Sequence, residues 1–295
     1  MAKDRHAEVG AGGGVDMDNS EQRDFWSDDA GQIWIDQRET MDTALAPVLD
    51  AVLDWSALKP GERAMDIGCG AGTSSFEAGA QVGTDGHVLG ADISTSLLAE
   101  ARRRGADHPN VDFALCDAAT EDFTDQQRDI LLSRFGVMFF ANSDDAFANM
   151  SKALKPKGRM VFATWGTIPA NPYFTLPAAV SKIVLGPRER TDPDAPGPFA
   201  LRDIDRVTRI LRGADLTDIT ADAIEMDLTP PGTAEDVAAL MCQIGPAQAA
   251  LSHFEADEAQ RREMMEFLID ALDPYVTPDG IRIPALINLF SATRP

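Results

Sequence analysis

From Trp34 onward, large apolar residues recur at helical spacing: Trp34, Met41, Leu45, Val48, Leu49, Val52 and Leu53. Such a pattern buries one face of a helix. Pro47 falls inside it. A proline removes an amide donor and clashes with the preceding turn, so two helices or a kinked one are expected. Lys59-Pro60-Gly61 reads as a turn. Past it the period changes. Residues 63–68, 87–93, 111–118, 129–136 and 158–165 are short apolar runs bounded by Gly, Asp or Pro, with helical patterns at 73–82, 94–104 and 144–154 between them. Strands that alternate with helices imply parallel βαβ units and an α/β fold. The polar link 119–128 leaves the helix between the third and fourth strands undecided. A proline-rich stretch runs from Pro169 to Pro198, with a helix expected at 174–185 and another at 204–211. Two closing strands are expected at 218–228 and 280–291, interrupted by a helical block at 234–272. Residues 1–22, with Gly12, Gly13 and Gly14 among charges and almost no large apolar side chains, are expected to be disordered. The rest, 23–295, reads as one domain.

Composition narrows the function. A chain of 295 residues with 44% hydrophobic and 25% charged residues can bury a core without disulfides. Its formal net charge of −22 argues against a nucleic-acid partner, which needs a Lys/Arg surface to displace counterions. It argues equally against anionic membranes. Cys69, Cys116 and Cys242 are scattered, and His6, His87, His108 and His253 show no ligand spacing, so no metal is expected. No apolar run reaches the length of a membrane-spanning helix and no signal peptide is visible, which makes the cytoplasm the expected compartment. A monomer or a homodimer is expected.

The sharpest local feature is Asp66-Ile67-Gly68-Cys69-Gly70-Ala71-Gly72-Thr73, which ends the first strand and opens the first helix of the alternating region. Glycines there let backbone approach a ligand, and the helix N-terminus offers free N–H groups to an anion. A dinucleotide fingerprint is one reading, although its third glycine comes one position early and Thr73 stands where that fingerprint has Gly or Ala. The second strand ends at Asp92, 24 residues past Gly68, where a carboxylate can accept both hydroxyls of a ribose. The third ends at Asp117-Ala118, which can face an adenine edge. These placements fit NAD and other adenosine cofactors alike, and each acid alone can also be a helix cap.

Taken in order, the motifs resemble the class I S-adenosylmethionine-dependent methyltransferases, in particular the bacterial group related to ubiquinone/menaquinone-biosynthesis enzymes (UbiE-type). The resemblance is carried by Met65 to Thr73, Gly90 to Ser94 with Ala101-Arg102, Asp117-Ala118, Ser133 to Phe140, and Ala153 to Arg159. One departure is Lys157, where the family often has glycine. The flanking stretches Trp26…Trp34-x-x-Gln37, Asp194 to Phe199 and Pro274 to Gly280 also look like one subgroup of it. The resemblance implies a Rossmann-like sheet of order 3-2-1-4-5-7-6 with the last strand antiparallel. It would carry an N-terminal helical cap (23–58), a cofactor-binding core (60–166), a substrate-side segment (167–215) and a helical lid inserted before the last strand (234–275). It implies S-adenosylmethionine as cofactor and S-adenosylhomocysteine as product. Asp66 and the loop Gly68, Cys69, Gly70, Gly72 and Thr73 would hold the methionine moiety. Asp92 and Ser94 would stand at the ribose, Ile93 against adenine, and Asp117 and Ala118 at its edge. Arg134 and Phe135 would border cofactor and acceptor, with Trp34 and Gln37 contributed by the cap.

Methyl transfer from an activated sulfonium needs mainly alignment and desolvation. A general base is needed only if the acceptor must lose a proton. His253 and Tyr173 are the candidates for one. The acceptor site is expected beyond the carboxyl ends of the strands, lined by Trp26, Phe139, Trp165, Tyr173, Met241 and Met264. The same residue types also serve as ordinary core. Arg202, Arg206 and Arg209 share one helical face, as a solvated face or as an anchor for an acidic acceptor. The expected activity is methylation of a small molecule at O, N, C or S. The alternatives are a protein acceptor, a non-catalytic cofactor-binding protein, and an NAD-dependent oxidoreductase.

Overall fold

A computed structural model describes residues 19–189 and 192–295. Seven strands form one sheet: β1 (Arg63–Ile67), β2 (His87–Asp92), β3 (Val111–Leu115), β4 (Arg128–Arg134), β5 (Leu154–Trp165), β6 (Thr217–Leu228) and β7 (Ile283–Thr293). Their order is β3-β2-β1-β4-β5-β7-β6, the expected one. The first five run parallel. The last strand, β7, is antiparallel to both β5 and β6. Every residue of β1 after Arg63 is buried, as are the last six of β5. Continuous burial along a strand means that both faces of the sheet are covered, and it explains why these segments read as unbroken apolar runs.

The helices follow the periodicity closely. Pro47 does divide the first pattern: α3 (Arg38–Ala44) ends before Leu45, and Pro47 sits in the first turn of α4 (Ala46–Ser56), where its missing N–H costs nothing. Ahead of them lie α1 (Ser20–Ser27) and α2 (Asp29–Asp36). The expected disordered tail therefore needs correction at its end. Residues 1–18 lie outside the described residues, but 20–22 are helical, and Asn19 is buried through contacts with the body of the domain. The connections carry α5 (Thr73–Val82), α6 (Thr95–Arg104) and α7 (Ser143–Ser151). The link 119–128 forms turns and no helix. Strand β5 begins four residues earlier than its apolar run, because Leu154 pairs with Arg128 ahead of a register shift. Lys157 lies in that shift at φ +66°, a left-handed conformation glycine adopts without strain, so the departure from the family's glycine has a steric cost.

Beyond the sheet, α8 (Pro172–Val184) and α9 (Ile204–Gly213) follow β5, and α10 (Ala234–Met241), α11 (Pro246–His253) and α12 (Glu258–Leu272) precede β7. The lid helices α11 and α12 pack on α8. Reciprocal capping boxes, Thr233 with Asp236 and Asp257 with Gln260, set the starts of α10 and α12. By contrast α5 starts at Gly72 with no side-chain cap, leaving its first N–H groups open.

Candidate functional site

The register aligns the carboxyl ends of four neighbouring strands. Asp66 in β1 is level with Gly90 of β2 and Leu132 of β4, and Asp92 with Leu115 of β3. The segments that leave these ends converge on one cavity of about 650 Å³, roofed by α1 to α3 and the turn between α10 and α11.

The glycine loop is bent in a way few residues tolerate. Gly68, Gly70 and Gly72 have φ of +65°, +54° and +89°. Gly68 also packs main chain to main chain against Gly136: a Cβ at Gly68 would lie 2.5 Å from the Gly136 Cα. Ser133 fixes this junction, its hydroxyl donating to the Ile67 carbonyl (2.7 Å) and accepting from the Gly136 amide (3.0 Å). Next to it Phe135 holds φ +71°, a strained conformation for a side chain of its size, and stacks on Trp165 at 4.5 Å with the ring planes 7° apart.

Asp66 is fully buried, and its Oδ2 accepts from the hydroxyls of Ser74 (2.6 Å) and Ser75 (2.7 Å). Among the described residues its Oδ1 has no hydrogen-bond partner. Burial pushes its carboxyl up to about 6, against the opposing pull of the two serine hydroxyls. An acid whose folded pKa lies above its unfolded value stabilises the fold at low pH, and that contribution is lost as pH rises towards the folded pKa. Unfolding at pH 4 to 7 should therefore show wild type losing up to about 3 kcal/mol relative to Asp66→Asn, about 1.4 kcal/mol per pKa unit. A pH-independent difference between the two proteins would refute this assignment.

Asp92 accepts at Oδ2 from the Gly70 amide (2.7 Å) and at Oδ1 from the Ser94 amide (2.8 Å), so it ties the glycine loop to the end of β2. Burial raises its carboxyl above the ordinary range. Asp117 accepts at Oδ1 from Asn19 Nδ2 (2.7 Å) and the Ala119 amide (2.9 Å). Asn19 Oδ1 accepts in turn from the Ala141 amide at 2.8 Å, closing the segment before α1 over the ends of β3 and β4. Arg134 Nη2 donates to Asp42 Oδ1 at 3.0 Å, and its buried Nη1 has no hydrogen-bond partner among the described residues. Asp42 Oδ2 accepts from the Thr73 hydroxyl (2.6 Å), which itself accepts from Arg104. Burial pushes the Cys69 thiol up, and that of Cys116 up to about 12, so neither is a thiolate near neutral pH.

Most of the residues expected from sequence meet at this cavity. Gly68, Cys69, Gly70 and Thr73 line it, as do Asp92 with Ile93, Asp117 with Ala118, and Arg134 with Phe135. Trp26, Trp34, Phe139, Trp165 and Tyr173 also line it. Asp66 and Gly72 stand behind the loop. Ser94 is a buried cap of α6 that also donates to the Trp26 carbonyl at 2.6 Å. Gln37 bonds Gln243 across to the α10–α11 turn instead of lining the cavity. Three expectations are corrected. Met241 and Met264 are core residues, 1% and 0% exposed, because the inward faces of α10 and α12 are spent on packing. His253 is exposed in the last turn of α11, its ring against Phe254 and away from the cavity. The basic face divides as well: Arg202 and Arg206 pair with Asp194 and donate to main-chain carbonyls, which makes them clips for the loop before α9. Sequence reasoning missed Asn19, Asp42, Arg104 and Gly136. Asn19, Asp42 and Arg104 lie in no motif and Gly136 only within the stretch Ser133 to Phe140, and the meeting of distant segments gives each its partner.

Residues 58–182 match the family model of a methyltransferase domain. The match begins just after α4, stops within the last turn of α8 and includes the four strand ends described above. Among curated relatives, an aklanonic acid methyltransferase of Streptomyces sp. (strain C5) is 32% identical over 120 residues, 40% of this chain and 54% of that protein. A demethylmenaquinone methyltransferase of Beutenbergia cavernae is 34% identical over 126 residues, 43% of this chain and 50% of that protein. The chain thus spans about half the length of these relatives. A phosphoethanolamine N-methyltransferase of Haemonchus contortus, solved with S-adenosyl-L-methionine, has the same fold: TM-score 0.57 at 18% identity over 92% of this chain and 60% of that one. The sheet order and these likenesses make this the Rossmann-like class I methyltransferase fold. Among the described residues no helix is long and apolar enough to cross a membrane.

Proposed function

We propose that this protein transfers a methyl group from S-adenosylmethionine to a small organic acceptor. One observation carries the reading: of the acids at three successive strand ends, Asp92 and Asp117 line one cavity that aromatic rings also line, and Asp66 stands just behind its glycine loop. Its groups fit the cofactor. Asp92 keeps unused lone pairs beside its two amide bonds, enough to accept from two ribose hydroxyls. Among the described residues Asp117 uses only Oδ1, leaving Oδ2 for an adenine amino group. Of the three buried side-chain atoms without a hydrogen-bond partner among the described residues, two stand at this end of the sheet, Arg134 Nη1 and Asp66 Oδ1, and they are of opposite charge, as the carboxylate and the positive groups at the methionyl end require. Bound there, the cofactor supplies an already activated methyl group, so the chain has to align the acceptor and exclude water, an effect worth up to roughly 7–11 kcal/mol. The relatives named above act on different acceptors, and kinship with the quinone-methylating group rests on partial matches to menaquinone- and ubiquinone-biosynthesis methyltransferases.

Titration calorimetry with S-adenosylmethionine, S-adenosylhomocysteine and NAD tests the proposal. Both adenosyl compounds should bind and NAD should not. Absence of binding by either adenosyl compound overturns it, and binding of NAD alone returns the oxidoreductase reading. A protein that binds S-adenosylhomocysteine but methylates nothing in a metabolite extract supplied with methyl-labelled cofactor is instead a cofactor-binding protein.

A further inference from the structure

Tyr173 lies in the first turn of α8, where β5 has just delivered Trp165 to the rim of the sheet. It is 5% exposed and lines the cavity. Among the described residues its hydroxyl has one hydrogen-bond partner, the thioether sulfur of Met41 at 3.6 Å. A thioether is a weak acceptor, so the O–H donor of this cavity-lining side chain is left nearly unspent. Burial also pushes the phenol well above its ordinary pKa, which removes it as a general base and keeps it a donor at any working pH.

Two aromatic groups line the same cavity. Trp165 stacks on Phe135 and meets Phe174 edge-on at 4.9 Å. Trp26, carried by α1, meets Phe139 edge-on at 5.3 Å. Aromatic walls favour a flat π-system by stacking and edge contacts. Of the arginines that line the cavity, Arg134 is bonded to Asp42 and Arg38 to Glu39 and Glu100, and the one open nitrogen, Arg134 Nη1, is assigned above to the cofactor's carboxylate. An acceptor with its own full charge would be desolvated here with no buried counter-charge to spare. A few placed polar groups in an apolar pocket fix orientation and specificity.

We propose that the acceptor is a neutral, flat, conjugated molecule bearing a carbonyl or hydroxyl oxygen, and that Tyr173 is the specificity-determining residue that donates to that oxygen. This rests on the methyltransferase reading only in placing the cofactor in the other half of the cavity.

The test uses the full chain saturated with S-adenosylhomocysteine, with quenching of tryptophan fluorescence as readout, since Trp26, Trp34 and Trp165 all line the cavity. The probes are 2-acetonaphthone, 2-ethylnaphthalene of nearly the same shape without the oxygen, and 2-naphthoate. Tyr173→Phe should weaken 2-acetonaphthone by roughly 3- to 10-fold, the range of one neutral hydrogen bond, and change 2-ethylnaphthalene by less than 2-fold. Wild type should bind 2-naphthoate more weakly than 2-acetonaphthone. Equal effects of the substitution on both neutral probes overturn the role of Tyr173. Preference for the anion, or no binding of any naphthalene, overturns the acceptor class. Failure of wild type to bind S-adenosylhomocysteine at the outset overturns the methyltransferase reading instead, so the two failures are distinct.

Discussion

Gly136→Ala should destabilise the domain by about 2–4 kcal/mol and abolish measurable binding of S-adenosylhomocysteine, with Gly70→Ala as its control. A Cβ at Gly136 would stand 2.4 Å from the Ile67 carbonyl oxygen, 2.6 Å from the Gly68 Cα and 3.0 Å from the Gly68 oxygen. All three are main-chain atoms, so no rotamer relieves the clash. Either β4 withdraws from β1 or the glycine loop is pushed into the cavity. The Gly136 φ is not in the left-handed region, so the effect is steric alone. Gly70 presents the opposite case. Its φ is +54°, yet an added Cβ would have nothing within 4 Å. Gly70→Ala should cost only the left-handed strain, about 1–2 kcal/mol. Chemical denaturation of the two variants checks this. A Gly70→Ala protein no more stable than Gly136→Ala would show that conformational strain, and not backbone contact, governs the loop.

Asp92→Ala has the second large effect, and it acts twice. The substitution strips the Gly70 and Ser94 amides of their acceptor. Each buried donor left unpaired costs about 1–3 kcal/mol. Stability should fall by about 2–4 kcal/mol, somewhat less than the sum because water can reach the cavity side. Affinity for S-adenosylhomocysteine should fall by roughly 1.5–3 kcal/mol, the worth of charged hydrogen bonds to the ribose, which is about 10- to 150-fold. Asp92→Asn keeps one acceptor oxygen and should fall between the two in both measurements. Loss of stability with unchanged affinity would leave Asp92 as a strut of the loop and place the ribose elsewhere.

These variants also mark where sequence reading stops. Asp92 was legible because it closes a strand at a fixed distance from a glycine cluster, and local order along the chain carries that signal. Gly136 was read as the end of a strand, since its partner, Gly68, is 68 residues away and nothing local announces main-chain contact. The methionines show the same limit from the other side. Met41 and Met264 are the same residue type on amphipathic helices, yet the first lines the cavity and the second is core. Helical periodicity identifies an inward face but not what that face meets. Asn19 lay in a stretch too polar and glycine-rich to suggest order. Its position is held by two hydrogen bonds, to Asp117 and Ala141, and not by apolar burial.

By itself the sequence determined the alternation of strands and helices, the break at Pro47, the glycine loop and the acids at three strand ends. All of these are fixed by backbone sterics and by hydrophobic periodicity, which act over a few residues. Only the tertiary structure decided that the cap places Asp42 on Thr73 and Arg134, that Gly68 and Gly136 touch, that His253 faces away from the cavity and that Tyr173 keeps an unspent hydroxyl within it. Those outcomes depend on which segments the sheet order brings side by side, and sheet order is a property of packing across the whole chain.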